Sequence, residues 1–217
     1  MKALAFDLFG TLVDLRGLEG TAAKATKHAE EFVAAWRSIQ LDYTFQLGLM
    51  GRYLPFSELT ARALTIACAR EGIEPNAETR EALLRSWRRL SPFPDARPAL
   101  ESMKGKMPLA VLTNADPSMA AETLKGAKLD GLFAHVLSAD EVRSFKPNPR
   151  VYRLAGVRLH LDPRDIGLVS ANPFDVMGAK AAGLRAIWMN RAHAAFDPLD
   201  LPPDLIVEDF AFLAKQI

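Results

Sequence analysis

A chain of 217 residues, 49% apolar, 24% charged and with a formal net charge of +1, can bury a substantial core and lacks the basic excess that draws a protein to nucleic acid or a membrane surface. Its one cysteine, Cys68, excludes an internal disulfide and argues against a cysteine-built zinc site, and the four histidines (His28, His135, His160, His193) have no ligand-like spacing. No apolar run is long enough to cross a bilayer, and Asp7 with the turn behind it breaks any secretion-signal pattern, so a cytoplasmic protein is expected.

In chain order, the first element is a short apolar strand at 3–6 that ends at Asp7. Between 15 and 94 no convincing strand appears; helices are expected at 22–40, 57–71 and 77–90, the last with Asn76 as its N-cap. Pro92, Pro94 and Pro98 then punctuate the chain. Beyond them, apolar runs at 109–112, 166–169, 186–189 and 205–207 have strand length, and helical stretches at 118–124, 150–157, 174–182 and 210–215 lie between or after them. Such alternation predicts an α/β fold, a parallel sheet with helices on both faces, interrupted after its first strand by an all-helical insertion. The expected division is a core of residues 1–14 and 95–217 and a helical cap of residues 15–94.

Ligand sites in open parallel sheets lie beyond the carboxyl ends of the strands. Asp7, the pair Thr113-Asn114 and the triplet Ser170-Ala171-Asn172 each follow an apolar run directly, so three strands deliver polar groups to one edge. Any one of these is ordinarily a turn residue or an N-cap. Their convergence points to a site over which the helical insertion can close. Asp7 is the candidate reactive carboxylate, with Thr11 in the turn behind it, and two residues on from Asp7 stands Phe9.

Four ordered motifs resemble the haloacid dehalogenase superfamily over nearly the whole chain: FDLFGTL at 6–12, LTN at 112–114, FKP at 145–147, and SANPFD at 170–175 followed by GAKAAG at 178–183. The resemblance implies a Rossmann-like core with an inserted cap. Phosphatases of that superfamily carry an acid two residues after the nucleophile to protonate a leaving alcohol, and acids in the fourth motif to hold Mg²⁺. Here those positions are Phe9 and Ser170, and Asp7 with Asp175 alone would make a poor magnesium cage. Together with WRSIQLDYT at 36–44 and LMGRY at 49–53, these spellings resemble the type II (S)-2-haloacid dehalogenases. A halide leaves as a stable anion and needs no proton, which gives Phe9 a chemical reason.

That resemblance implies hydrolysis of a small 2-haloacid to a 2-hydroxy acid and halide, with no cofactor and no metal. Asp7 would attack the halogen-bearing carbon and form an ester that water then cleaves. Burial raises a carboxylate pKa by up to roughly 3–5 units and each nearby cation lowers it by about 1–3, so two cations suffice to keep Asp7 ionised; Lys146 is the first candidate and Arg37 can add to it. By the same resemblance Arg37 receives the halide, while Thr113 and Asn114, with the amides of Leu8 and Phe9, bind the substrate carboxylate. Asp175 orients or activates water, helped by Ser170, Asn172 and Lys146. Tyr152 belongs to that network or simply packs on the core. Leu41, Phe56 and Phe174 line an apolar pocket, and LMGRY belongs to a dimer contact, so a homodimer is expected. The basic run Arg85-Ser86-Trp87-Arg88-Arg89 reads as a solvated helix face with its Trp turned in. Two rivals remain: a magnesium-dependent phosphatase, which must explain Phe9 and Ser170, and a non-catalytic protein of the same fold, against which Asp7, Lys146 and Asp175 all stand.

Overall fold

A computed structural model of the chain describes residues Met1–Ile217. Six strands form one sheet: β1 (Ala3–Phe6), β2 (Leu109–Thr113), β3 (His135–Ser138), β4 (Ile166–Ser170), β5 (Arg185–Met189) and β6 (Leu205–Val207). Their order is β3-β2-β1-β4-β5-β6 and every ladder is parallel. The three central strands are buried at every position, which is why they read as unbroken apolar runs rather than alternating ones.

The helices are α1 (Glu19–Ala22), α2 (Ala29–Leu49), α3 (Phe56–Arg70), α4 (Ala77–Ser86), α5 (Ala96–Lys104), α6 (Pro117–Gly126), α7 (Pro149–Leu159), α8 (Pro173–Ala181) and α9 (Phe210–Lys215). Successive strand residues face opposite sides. Ala5, Leu112 and Leu168 therefore pack with Val151, Tyr152 and Val176 of α7 and α8, whereas Leu4, Phe6 and Val111 join a second cluster that includes Leu100, Met119 and Phe210 of α5, α6 and α9. That second cluster continues into the helices between β1 and β2 through Phe32, Trp36, Leu59 and Trp87. No helix is long and apolar enough to cross a membrane.

β1 lies between β2 and β4, where the strand order reverses, and in doubly wound sheets the ligand crevice opens at such a point. Phe6 is in register with Val111 and Val169, so Asp7 and the ends of β2 and β4 emerge at one level.

The parallel α/β architecture is the one the sequence predicts. Several element boundaries differ. The helix expected at 22–40 is displaced to Ala29–Leu49 and runs on until Gly51, whose φ of 63° supplies the left-handed turn, with the Arg52 amide returning to the Leu47 carbonyl. The helix expected at 77–90 ends at Ser86 and tightens to a 3₁₀ turn over Trp87–Arg89. Helix α5 was not expected, because Pro98 reads as a breaker; it sits in the first turn, where an amide proton has no intrahelical partner to lose. Strand β3 also went unseen, since it is short, lies at the sheet edge and is only half buried. Asn76 caps α4 as expected, its Oδ1 accepting from the Thr79 amide at 2.8 Å.

Candidate active site

Asp7 leaves β1 into a turn that Gly10 makes possible at φ 84°. Three side chains donate to its carboxylate: Thr11 Oγ1 at 3.0 Å and Asn172 Nδ2 at 2.8 Å to Oδ2, and Lys146 Nζ at 3.0 Å to Oδ1. Thr11 Oγ1 in turn accepts from the Ala171 amide at 2.9 Å, tying the loop after β1 to the loop after β4. Asn172 occupies the N-cap position of α8 yet makes no capping bond. An asparagine there would normally satisfy the first turn; its amide is committed to Asp7 instead.

Lys146 is almost wholly sealed from solvent, at 1% exposure, and its Nζ also donates to Asp175 Oδ2 at 2.7 Å. Asp175 is fully buried in the first turn of α8 and takes a second bond at Oδ1 from the Tyr152 hydroxyl at 2.8 Å. Burial opposes the Lys146 charge, but the charges of Asp175 and Asp7 outweigh it and raise the lysine pKa above its ordinary value. Asp175 is raised as well: burial and the neighbouring Asp7 charge prevail over Lys146 and Tyr152. Tyr152 is held well above the usual phenol range by burial and then by the Asp175 charge. The close approach of Tyr152 to α8 depends on Gly178, where a Cβ would lie 2.3 Å from the Tyr152 hydroxyl.

At the end of β2, Thr113 Oγ1 accepts from the Ala115 amide at 3.1 Å, and Asn114 Oδ1 accepts from the Lys146 amide at 2.8 Å. Asn114 thus fixes the main chain that carries Lys146. Its Nδ2 and the main-chain amides of Leu8, Phe9 and Asn114 donate to no protein acceptor. This is a group of donors suited to an anion.

Opposite these polar groups stands an aromatic wall. The Phe9 ring stacks on Phe56 at 6.2 Å and meets Trp87 edge-on at 5.2 Å, and Trp87 meets Trp36 at 5.5 Å. Arg37 lies against this wall with its guanidinium 5.8 Å from the Trp87 ring. Its one polar protein partner is Gln40, through a 2.6 Å bond from Nη1 to Oε1, and no carboxylate pairs with it. Protein surrounds the guanidinium, and the residue as a whole is only partly exposed. Enclosure lowers its pKa to about 10, with the charge of Asp7 pulling the other way. A cleft of about 340 Å³ opens beside Lys146, lined by Thr44, Phe45, Gly48 and Leu49 of α2 and by Phe145 and Pro147.

Along residues 1–183 the chain matches the model of the haloacid dehalogenase-like hydrolases. The chain belongs to the haloacid dehalogenase-like hydrolase family. It is similar to the (S)-2-haloacid dehalogenase of Pseudomonas sp. (strain YL), 37% identical over 206 residues that cover 94% of this chain and 89% of that one. It is also similar to haloacetate dehalogenase H-2 of Moraxella sp. (strain B), 35% identical over 209 residues, 95% and 93% of the two chains. Among solved structures, the L-2-haloacid dehalogenase of Xanthobacter autotrophicus with chloropropionic acid covalently bound aligns with a TM-score of 0.92 at 29% identity, covering 99% of this chain and 97% of that one. The superfamily and the enzyme class inferred from four motifs therefore hold.

Within this hydrolase, the fold brings Asp7, Thr11, Lys146, Tyr152, Asn172 and Asp175 into one hydrogen-bonded network. Ser170 stands behind it: its Oγ accepts from the Asn172 amide at 3.1 Å and bonds to neither carboxylate. Phe56 joins the wall around Phe9, whereas Phe174 pairs with Phe45 at 5.2 Å, a residue sequence reading overlooked. Arg37, Leu41 and Phe45 follow at intervals of four along α2 and so share a face, a spacing that could have revealed Phe45. Trp87 is turned in as expected, but its place in the wall was not legible, nor were Gln40 and Thr60 behind Arg37. The LMGRY segment is split: Leu49 is 90% exposed, whereas Tyr53 turns inward, stacks on Phe145 and donates to Asp140 Oδ1.

Proposed function

We propose that this hydrolase converts short (S)-2-haloalkanoic acids to (R)-2-hydroxy acids and halide through an ester on Asp7, without a metal ion. The observation that carries this reading is the surroundings of Asp7: an aromatic wall with Phe9 where a proton-donating acid would stand, and against that wall an arginine with no carboxylate of its own. Such a site suits a leaving group that departs as an anion.

Asp7 Oδ1 has one donor and Oδ2 has two, so Oδ1 is the freer nucleophile. It attacks the 2-carbon from the face opposite the halogen; the new C–O bond forms as the carbon–halogen bond breaks, and halide takes the electron pair towards Arg37. The substrate carboxylate lies on the amides of Leu8 and Phe9 and on Asn114 Nδ2. Water, deprotonated by Asp175, then adds to the Asp7 carbonyl carbon. Negative charge gathers on Oδ2, where Thr11 and Asn172 already donate, which is an oxyanion hole present before the reaction. Cleavage of the acyl–oxygen bond releases the hydroxy acid, whose leaving oxygen takes the proton held by Asp175, while the remaining proton on Asp7 passes to solvent; the configuration is the one set in the first step. Lys146 bridges Asp7 and Asp175 with its ammonium, and supplies there the positive charge that a divalent ion would supply in a phosphatase.

Residues 15–94 serve as the cap and residues 1–14 with 95–217 as the core in this scheme, consistent with a site built from α2 and α3 on one side and strand ends on the other. The exposed Leu49 and Met50 at the end of α2 support a homodimer contact there. The test is halide release from (S)- and (R)-2-chloropropionate in EDTA. Release from the (S) acid alone, lost in Asp7→Asn, is expected; phosphate release with Mg²⁺ and no halide would overturn the assignment.

A further inference from the structure

We infer that Gln40 and Thr60 are positioning residues that hold the Arg37 guanidinium as an anion receptor of full charge, through a directional chain that begins at the main-chain carbonyl of Phe56. The inference rests on the reading of Arg37 as the halide receptor and adds the residues that make it one.

The chain has three links. Thr60 Oγ1 donates to the Phe56 carbonyl at 2.8 Å, Gln40 Nε2 donates to Thr60 Oγ1 at 2.6 Å, and Arg37 Nη1 donates to Gln40 Oε1 at 2.6 Å. Gln40 and Thr60 are both buried, so no solvent competes for these bonds. Direction follows from what each group can do. A carbonyl oxygen only accepts, so the single hydroxyl proton of Thr60 is committed to Phe56. Thr60 can then only accept from Gln40, which must present its NH₂ end there and its oxygen to Arg37. One of the two amide orientations is excluded, and the guanidinium gains a fixed acceptor.

The backbone of Thr60 is fixed from the same helix that carries Arg37. The Trp36 indole donates to the Thr60 carbonyl at 2.8 Å, one turn before Gln40 on α2. Trp36 and Gln40 therefore grip Thr60 from positions on either side of Arg37. The chain also starts at Phe56, whose ring stacks on Phe9, so the residue that anchors the arginine is part of the aromatic wall.

An amide at position 40 has a further consequence. A glutamate of the same length would pair with Arg37 and cancel its charge, leaving little for a departing anion. Glutamine orients the guanidinium and leaves it unneutralised, at the cost of enclosing an uncompensated cation. The lowered pKa of Arg37 reflects that cost.

The experiment uses the full chain and four variants: Gln40→Glu, Gln40→Met, Thr60→Val and Thr60→Ser. Two readouts apply, saturable quenching of tryptophan fluorescence by potassium iodide and the rates of halide release from (S)-2-chloro- and (S)-2-bromopropionate. Misplacement or neutralisation of Arg37 is expected to weaken iodide binding and slow chloride release by about 10–100-fold, and to slow bromide release less, because bromide is the better leaving group. Thr60→Ser restores what Thr60→Val loses. Should Gln40→Met fail to fold, Gln40→Glu, which keeps the volume and adds an ion pair, carries the test. Gln40→Glu binding iodide and releasing chloride like the parent would overturn the chain of positioning residues alone. A parent protein that binds iodide, loses that binding in Gln40→Glu and releases no halide from either acid would overturn the dehalogenase reading and leave the positioning role of Gln40 standing.

Discussion

Lys146 and Asp175 meet in a 2.7 Å ion pair at 1% and 0% side-chain exposure, the most deeply buried pair of charges in the protein. Asp7 shares the same ammonium, so two carboxylates depend on one lysine. Removing it leaves two facing acids out of water. Lys146→Met is therefore expected to lose activity and about 3–5 kcal/mol of stability, read from urea denaturation; a variant as stable as the parent would contradict this account.

In the proposed mechanism Asp175 is the base that deprotonates water, and it should therefore set the acid limb of activity. Its pKa lies above the ordinary carboxylate value, and the base form is the active one, so rate should fall as pH drops through that raised pKa. The Tyr152 hydroxyl favours the ionised form, and Tyr152→Phe should shift the limb to higher pH. The stability sign is opposite. A raised folded pKa contributes stability that is present below the unfolded pKa and lost as pH rises through the folded one. At neutral pH the Asp175 charge is thus a net cost, which partly offsets the buried acceptor that Lys146 or Tyr152 loses in Asp175→Asn; this variant should abolish turnover and lower the melting temperature less than Lys146→Met does.

As the proposed halide receptor, Arg37 should set the alkaline limb. With a pKa of about 10, its charge disappears before that of Lys146, which is raised above the usual lysine value. Halide release should decline as pH passes about 10, and the decline should be steeper for chloride than for bromide substrates. A depressed folded pKa means that the charged form costs stability below it. Arg37→Met should therefore be inactive and melt no lower than the parent, which calorimetry would check.

Tyr53 joins the helical insertion to the core. Its hydroxyl donates to Asp140 Oδ1 at 2.6 Å, and four residues on the Ser57 amide donates to Asp116 Oδ2 at 2.9 Å, so the segment that carries Phe56 is held at both ends. Tyr53→Phe keeps the ring on Phe145 and loses the bond to a charged acceptor. A stability loss of about 1.5–3 kcal/mol is expected, with a higher KM and a smaller change in kcat.

Gly178 leaves room for Tyr152 beneath α8. A methyl group at this position would also meet Pro147 Cβ at 2.7 Å, next to Lys146. Gly178→Ala should push Tyr152 away from Asp175 and mimic Tyr152→Phe in its pH profile, despite the better helix propensity of alanine. An unchanged profile would show that the hydroxyl is not what Asp175 senses.

Sequence alone specifies the central parallel strands, a carboxylate, Asp7, at the end of the first and no acid at position 9. These are local facts, written in unbroken apolar runs and in motifs a few residues long. Lys146 is named beside Asp7 from a separate motif, but Asn172 is expected to help Asp175, and its bond to Asp7 is not legible, because these bonds join positions 139 and 165 residues apart. The half-exposed edge strand β3, α5 with Pro98 in its first turn and the extension of α2 to Leu49 also escaped, since in each the local signal is weak and tertiary packing decides. Only the tertiary structure placed Trp87 against Phe9, and Gln40 between Arg37 and Thr60. Those contacts depend on how α2 and α3 pack on each other and on the sheet edge, an angle set by side chains from the whole core.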